Sequence, residues 1–280
     1  MTVRALIREG ETLLAQKQVL SPKLDSEYLL AEALHVPRLN LLLSPMDEVS
    51  EEAEKHYRSL LARRANHEPL QYLLGTEDFY GLTFRVTPHV LIPRADTEAL
   101  CEKALEVLPE NGRVLDLCTG SGALATAIAH NRKDARVFAS DLSTDALLIA
   151  RENAARNHAD VTFFQGDLFE PLTGLIFDLI VSNPPYISGE DMHTLQPEVK
   201  QEPQMALYGG EDGTDCYFAL INGWKSVLRI GGEIVLETGY DTKDAVLSML
   251  TELEYTEVTS KKDLQGIVRV VSGKRGNYDI

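Results

Sequence analysis

A glycine-rich turn between a predicted strand and a predicted helix is the first feature that could do chemistry. Residues 113–123 read Arg-Val-Leu-Asp-Leu-Cys-Thr-Gly-Ser-Gly-Ala, so an apolar strand leads into a turn containing Gly120 and Gly122. Glycines let a ligand approach the backbone where a Cβ would intrude, and the amides at a helix start favour an anionic group. The turn predicts a ligand site, although its spacing also comes close to a dinucleotide fingerprint.

Three acidic residues at predicted strand ends narrow the choice of ligand. Asp116 lies inside the strand before the turn, where it would repel a pyrophosphate and attract an amino group or a cation. Asp141 ends the next strand, where a carboxylate can accept both hydroxyls of a ribose. Asp167 ends the third strand, where an adenine would lie. Each acid alone could be a turn or helix-cap residue, but together they indicate a nucleoside with an amino-acid tail, S-adenosylmethionine.

The segment Asn183-Pro184-Pro185-Tyr186 follows a predicted buried strand at 177–182. The two prolines restrict the backbone, so that the Asn183 side-chain amide and the Pro184 carbonyl can be held rigidly. Two acceptors facing one point suit a substrate NH2 group, which has two donors, and the Tyr186 ring can stack on a planar amide or base. The alternative is a tight turn that only ends the strand.

The first 75 residues predict a small all-helical domain. Apolar periodicity indicates helices at 3–19 and 51–67, and a helix between them that begins after the N-cap Ser21 and ends at Pro37; Ser50 caps the third. The predicted buried faces are Leu6, Ile7, Leu13 and Leu14, then Leu24, Tyr28, Leu29 and Ala33, then Tyr57, Leu60 and Leu61.

From residue 76 the pattern changes to a hairpin around Gly81 and then to alternating helices and strands. Strands are predicted at 113–117, 136–140, 161–165, 177–182, 232–238 and 266–271, and helices at 97–108, 123–130, 144–157, 215–228 and 244–253. Such alternation predicts an α/β fold with a doubly wound, mostly parallel, Rossmann-like sheet. Near its end, Phe218, Leu220, Ile221 and Trp224 are predicted core residues.

The motifs in this order resemble the class I S-adenosylmethionine-dependent methyltransferases that modify planar NH2 groups. Further blocks are similar to those of the release-factor glutamine N5-methyltransferases (HemK/PrmC type), and the resemblance covers nearly all of the chain. These blocks lie at 91–98 (Leu-Ile-Pro-Arg-Ala-Asp-Thr-Glu), 202–213, 236–239 (Leu-Glu-Thr-Gly) and 263–270. The chain departs from the family pattern at Cys118, Ala95 and Thr242, where glycine, proline and glutamine are commoner.

The resemblance implies methyl transfer from S-adenosylmethionine to the side-chain amide nitrogen of the glutamine in the Gly-Gly-Gln motif of peptide chain release factors. It implies a helical substrate-docking domain at 1–75, a hairpin linker at 76–95 and a methyltransferase domain at 96–280. The predicted catalytic residues are Asn183, Pro184 and Tyr186, and the substrate-binding residues are these three and Pro185. The predicted cofactor-binding residues are Asp116, Cys118, Thr119, Gly120, Ser121, Gly122, Asp141, Asp167, Leu168 and Asn183.

Composition limits the class of protein. The chain has 280 residues, 44% of them apolar, and a net charge of −16; it can therefore bury a full core, but it favours no broad phosphate-binding surface. Three cysteines without metal-like spacing favour a reducing cytoplasm. The seven histidines likewise show no metal spacing, so no metal site is expected.

Three other functions fit parts of this pattern. A nucleic-acid methyltransferase acting on the exocyclic amine of adenine N6 or guanine N2 could use the same Asn-Pro-Pro-Tyr segment, but it should carry a basic groove. Basic pairs in this chain are scattered, as at Arg63-Arg64 and Lys261-Lys262. A non-catalytic cofactor-binding scaffold is disfavoured by the intact segment, and a nicotinamide oxidoreductase by Asp116.

Overall fold

The computed structural model describes residues 1–263 and 265–277; Leu264 of the terminal block and the last three residues of the predicted domain at 96–280 lie outside this range. The chain divides into two compact units. The first comprises Met1–Thr76 together with Gln196–Gln201, and the second comprises the rest of the described chain. The predicted domain boundaries, after residues 75 and 95, did not anticipate that Gln196–Gln201 would pack with the first unit.

The first unit is helical, as predicted. Its helices are α1 (Val3–Gln16), α2 (Pro22–Leu34), α3 (Arg38–Leu43), α4 (Glu51–Arg64) and α5 (Leu70–Leu74). Leu6 and Leu14 of α1 pack in one core with Leu29 and Leu30 of α2 and with Tyr57, Leu60 and Leu61 of α4. The Ser50 hydroxyl accepts a hydrogen bond from the Ala53 amide at 3.3 Å, which confirms that it caps α4.

The prediction of which residues of the second helix are buried is partly wrong. Leu24 and Tyr28 are exposed, because α2 turns polar residues inward beside Leu29 and Ala33. The Ser26 hydroxyl binds the Ile7 carbonyl at 3.0 Å and the Tyr57 hydroxyl at 2.8 Å, and these bonds make its burial possible.

The ends of α2 also differ from the prediction. Ser21 occupies the N-cap position but makes no side-chain capping bond. The helix ends at Leu34, where His35 adopts a left-handed conformation with φ of 54°. Pro37 precedes the short helix α3 instead of ending α2.

A buried cluster explains why residues 196–201 belong to the first unit. The Arg64 guanidinium donates to the Asp25 carboxylate at 2.7 Å and to the Glu198 carboxylate at 2.9 Å, and Gln201 donates to the Asn66 carbonyl at 2.9 Å. A buried arginine needs such partners to offset the loss of water. The segment is therefore fixed by charge pairing that no local pattern could reveal.

The second unit is built on a seven-stranded sheet in the order β5-β4-β3-β6-β7-β9-β8. Its strands are β3 (Arg113–Leu117), β4 (Arg136–Asp141), β5 (Val161–Gln165), β6 (Phe177–Ser182), β7 (Leu228–Glu237), β8 (Thr256–Lys262) and β9 (Val268–Lys274). The first five in spatial order are parallel, and β9 runs antiparallel to β7 and β8. A hairpin of β1 (Thr76–Phe79) and β2 (Leu82–Arg85) turns at Gly81, as predicted.

Helices cover both faces of the sheet. They are α6 (Glu98–Val107), α7 (Ala123–Asn131), α8 (Thr144–Arg156), α10 (Asp215–Gly223) and α11 (Lys243–Glu252). The short helix α9 (Gly189–Thr194) follows β6 and has no buried residue. One core lies under α6 and α7 and includes Val114 and Val181, and the other lies under α10 and α11 and includes Leu115 and Ile180. This arrangement confirms the doubly wound, mostly parallel fold.

The carboxyl-terminal elements contain the main errors of prediction. Strand β8 was missed because six of its seven side chains are charged or hydroxyl-bearing and it lies at the sheet edge. The last strand runs from Val268 to Lys274 instead of 266–271, and α10 stops at Gly223, where a 3-10 turn precedes β7. Trp224, Leu220 and Ile221 are core residues as predicted, but Phe218 is 64% exposed.

Candidate active site

The predicted site residues meet at the carboxyl edge of the parallel sheet. Leu117 at the end of β3 is paired with Ser140 of β4 and with Ser182 of β6, and Asp141 is paired with Gln165 of β5. In-register ends place the loops that follow these strands side by side. Doubly wound sheets bind ligands at this edge.

The two positions in the turn require glycine for different structural reasons. Gly120 has φ of +54°, and a Cβ on it would meet no atom within 4 Å, so its face is open to a ligand. Gly122 has φ of +76°, and its Cβ would lie 2.8 Å from the Cβ of Ala150, so it permits helix packing. Cys118 also has a positive φ, of 60°, which explains why glycine is the commoner residue there.

Asn153 of α8 holds the turn in place, although no motif in the sequence points to it. Its fully buried side chain donates to the Ser121 carbonyl at 2.9 Å and to the Arg85 carbonyl at 3.0 Å, and it accepts from the Arg85 amide at 2.7 Å. One side-chain amide therefore hydrogen-bonds to backbone groups of both the turn and the end of β2. Buried polar side chains of this kind fix one backbone arrangement.

Asp116 is a buried acid beneath the turn. It is 2% exposed, and its Oδ2 accepts from the Thr119 hydroxyl at 2.6 Å and from the Ala125 amide at 3.2 Å. Burial raises the pKa of Asp116 to about 7, against these two hydrogen bonds. A cationic group brought near it would favour its charged form.

We expect Asp116→Asn to stabilise the protein at alkaline pH. Because the folded carboxyl has a raised pKa, the free energy of unfolding falls as the pH rises from about 4 to about 7. Each pH unit in that window costs roughly 1.4 kcal/mol, so the variant should have a higher Tm than the wild type at pH 8, by several degrees. Thermal unfolding at pH 8 and pH 5 should show the difference shrinking at the lower pH. If the Tm of the variant differed from that of the wild type by the same amount at pH 8 and pH 5, the raised pKa of Asp116 would be contradicted. The control is Asp160→Asn, because Asp160 is exposed.

The larger of two adjoining pockets lies over the turn. Asp141 reaches it while accepting from the Gly120 amide at 2.8 Å and the Ser143 amide at 2.9 Å. Burial raises the pKa of Asp141, and the amides work in the opposite direction. The other predicted residues that line this pocket are Cys118, Gly120, Asp167, Leu168, Asn183 and Pro185. In the described part of the chain no lysine or arginine lines it, which suits a cationic or neutral ligand better than a phosphate.

The smaller pocket is lined by the predicted residues Asp116, Cys118, Thr119, Gly120, Ser121 and Asn183, together with Thr97 and Arg94. Asn183 is common to both pockets and so lies at their junction. Its Nδ2 donates to the Thr97 hydroxyl at 3.2 Å, which leaves Oδ1 as the amide atom suited to accept from a ligand.

Three predicted residues line neither pocket: Gly122, Pro184 and Tyr186. Pro184 is buried, and the Tyr186 hydroxyl donates to Oε1 of Glu237 at 3.3 Å. Glu237 and Thr97 were not predicted as site residues. Glu237 could have been found, because it is an acid at the end of an apolar strand that neighbours β6.

Two cysteines share the larger pocket, Cys118 and the unpredicted Cys216. Both are free thiols. The neighbouring Cys216 and burial raise the pKa of the Cys118 thiol well above its usual value. The raised pKa disfavours the thiolate of Cys118, which is the reactive form of a cysteine.

Comparison with known proteins identifies the family. Residues 5–75 match the family model described as PrmC N-terminal domain, and residues 96–211 match that of the methyltransferase small domain. The release factor glutamine methyltransferase of Geobacter sulfurreducens is 43% identical over 276 residues, 98% of this chain and 97% of that protein. This chain belongs to the release factor glutamine methyltransferase family. The family member from Neisseria gonorrhoeae is 44% identical over 90% of this chain and 93% of its own length.

The fold of this chain is similar to that of a solved methyltransferase outside this family. A Thermus thermophilus 16S rRNA N2 G1207 methyltransferase, solved with AdoMet and guanosine, aligns with a TM-score of 0.54 and 22% identity over 71% of this chain and 49% of that one. At this identity the likeness shows the fold alone. No helix within residues 1–263 and 265–277 is long and apolar enough to cross a membrane, and the same residues contain no cluster of metal-binding side chains.

Proposed function

We propose that this chain transfers a methyl group from S-adenosylmethionine to the side-chain amide nitrogen, N5, of the glutamine in the Gly-Gly-Gln motif of peptide chain release factors. Its membership of the family along nearly its whole length supports this reaction. The structural observation that carries it is the position of Asn183, which lies where the two pockets adjoin. The site of action is then the cytoplasm, where release factors work.

The two pockets fit the methyl donor. Asp141 and Asp167 offer acceptors for a ribose and an adenine in the larger pocket, and Leu168 and Pro185 supply apolar walls. Asp116 and the open face at Gly120 suit a charged amino-acid tail. When bound, S-adenosylmethionine supplies a methyl group on a positively charged sulfur.

The protein's task is to make an amide nitrogen act as a nucleophile. That nitrogen is a weak nucleophile because its lone pair is delocalised into the carbonyl. We propose that Oδ1 of Asn183 and the Pro184 carbonyl oxygen each accept a hydrogen bond from one N–H group of the glutamine amide. When both N–H groups are hydrogen-bonded in this way, a pyramidal nitrogen is favoured, which resembles the transition state more than the planar ground state does.

Orientation supplies the rest of the effect. The prolines flanking the site hold the two acceptors at fixed positions, and the Tyr186 ring, anchored through its hydroxyl, can stack on the planar amide. Holding two reacting groups together in the correct geometry can lower a barrier by several kcal/mol. No general base need act before the transfer, so Asn183 and Pro184 are the polar groups we assign to the acceptor.

A labelling experiment tests the acceptor. The purified chain would be incubated with S-[methyl-3H]adenosylmethionine and a release factor, the same factor with Gly-Gly-Gln changed to Gly-Gly-Ala, or bulk RNA and DNA. We expect label on the unmodified factor alone. Label on nucleic acid would instead favour the exocyclic-amine methyltransferase, and label on the alanine variant would place the reaction at another residue.

A further inference from the structure

Glu237 is a buried acid that the proposed reaction does not use. It ends β7 beside β6, since Leu236 is paired with Ser182 just before Asn183. The residue is 2% exposed. Burial is the largest influence on its carboxyl and raises the pKa of Glu237 to about 7. A buried acid costs stability unless its oxygens are hydrogen-bonded or paired, and one oxygen of this acid has no partner among the described residues.

One carboxylate oxygen holds the far end of the Asn-Pro-Pro-Tyr segment. Oε1 accepts from the Tyr186 hydroxyl at 3.3 Å. Oε2 is buried and makes no hydrogen bond to any described residue. The backbone carbonyl of the same residue is fixed separately, by the Tyr217 hydroxyl at 2.9 Å. The side chain therefore has a second, unpartnered acceptor next to the Asn-Pro-Pro-Tyr segment.

The near end of the segment is linked to the same carboxylate through Thr97. Thr97 is buried, and its hydroxyl accepts from Nδ2 of Asn183 at 3.2 Å. Thr97 directly precedes α6, which packs against β6 and β7, and its hydroxyl is a hydrogen-bonding neighbour that works to lower the pKa of Glu237. A hydroxyl can donate only one hydrogen. With that hydrogen directed at the unpartnered Oε2 of Glu237, the hydroxyl must accept from Asn183, and only the NH2 end of the amide can donate.

The orientation of Asn183 decides whether the site can bind its substrate group. With Nδ2 on Thr97, Oδ1 is left to accept from the glutamine NH2. With the amide reversed, its NH2 group would face the NH2 of the glutamine, and two donors would oppose each other. The side chain that accepts a hydrogen bond from the Thr97 hydroxyl therefore decides which end of the Asn183 amide faces the substrate.

We propose that Glu237 is a positioning residue that holds both ends of the Asn-Pro-Pro-Tyr segment, Tyr186 directly and Asn183 through Thr97, so that Oδ1 of Asn183 faces the substrate. This inference rests on the proposed function only for the identity of the acceptor. Any planar NH2 substrate would need the same orientation. The charged neighbours of the carboxylate are Asp96 and Arg269, which are paired with each other at 3.0 Å.

The test is Glu237→Gln, which keeps the size of the side chain but introduces an NH2 group that can donate to Thr97. We expect kcat at saturating S-adenosylmethionine to fall on the order of tenfold to a hundredfold, by analogy with misplaced reacting groups. The Kd for S-adenosylmethionine should stay within a factor of about 2, because Glu237 lines neither pocket. Thr97→Val should lower kcat in the same way, while Thr97→Ser, which keeps the hydroxyl, should restore it.

Two further variants separate positioning from general damage. Tyr217→Phe removes a hydrogen bond to the backbone of Glu237 without touching its carboxylate, and it should leave kcat unchanged. In a Thr97→Val, Tyr186→Phe background, Glu237→Gln should lower kcat no further, because both linked groups are already gone. An equal loss in that background, or a wild-type kcat for Glu237→Gln alone, would overturn the inference.

The role of Glu237 can be tested separately from the identity of the methyl acceptor. If the wild type labels a release factor and Glu237→Gln is as active, the inference fails and the proposed function survives. If the wild type labels nucleic acid instead, the proposed function fails, and the same variants can be compared on that acceptor.

Discussion

Asn183→Ala should lower kcat for methylation of a release factor by roughly 10²–10³-fold, the usual cost of removing one preorganised hydrogen-bonding group. The variant loses the side-chain acceptor at the junction of the two pockets and leaves the Pro184 carbonyl as the only proposed partner of the glutamine NH2. Because the interaction strengthens as the nitrogen becomes pyramidal, the loss should appear in kcat more than in KM. Single-turnover transfer of labelled methyl groups would measure it directly.

The matched control is Asn222→Ala. Asn222 is an exposed asparagine of α10 whose side chain donates to the Phe218 carbonyl of its own helix, and its loss should not change turnover. Isothermal titration should show that Asn183→Ala still binds S-adenosylmethionine, with Kd within about tenfold, since the residue supplies one of many contacts. Normal turnover by Asn183→Ala would remove this residue from the mechanism.

The combined change of Leu39, Leu42 and Leu43 to serine should raise KM for the release factor on the order of 30-fold, which corresponds to the loss of about 2 kcal/mol at one interface hot spot. We propose that the helical unit docks the protein substrate, because a glutamine side chain alone cannot distinguish a release factor from other proteins. The three leucines lie on α3 and are 51–73% exposed, and the exposed Met46 follows them. These four apolar side chains occur within eight residues of the chain, and clustered exposed apolar groups are typical of protein interaction sites.

The effect should be confined to the protein substrate. The Kd for S-adenosylmethionine and the Tm should match the wild type, because the changed side chains face solvent. Leu148→Ser is the control, since Leu148 is an exposed leucine of α8 in the other unit. Unchanged KM and kcat for a complete release factor would show that α3 takes no part in docking.

Local patterns in the sequence were enough to predict most of the elements and the central motifs. Strands β3, β5 and β6 begin and end at the predicted residues, because a buried parallel strand is a short apolar run bounded by turn residues. The order of strands and helices then fixed the fold, since right-handed crossovers leave few topologies. Asp141, Gly120 and Asn183 could be placed at one edge because parallel strands bring their carboxyl ends together.

The errors occurred where tertiary partners reverse a local preference. Asp25 and Ser26 lie inward on α2 because Arg64 and Tyr57 satisfy them, while Leu24 and Tyr28 lie outward. Polarity alone predicts the opposite arrangement. Strand β8 is polar because it lies at the sheet edge, and its place depends on pairing with β9, which follows it in the chain.

The supporting structure of the site was also decided by the tertiary fold. Thr97 and Glu237 are 140 positions apart in the chain, and neither has a local signal that links it to Asn183. The fold brings both of them to the Asn-Pro-Pro-Tyr segment, because β6 and β7 are neighbours and the start of α6 lies beside them. The sequence determined which groups could perform the chemistry, since residue type and spacing carry that information. Only the packed structure decided which way those groups are held, because orientation depends on buried hydrogen bonds between distant residues.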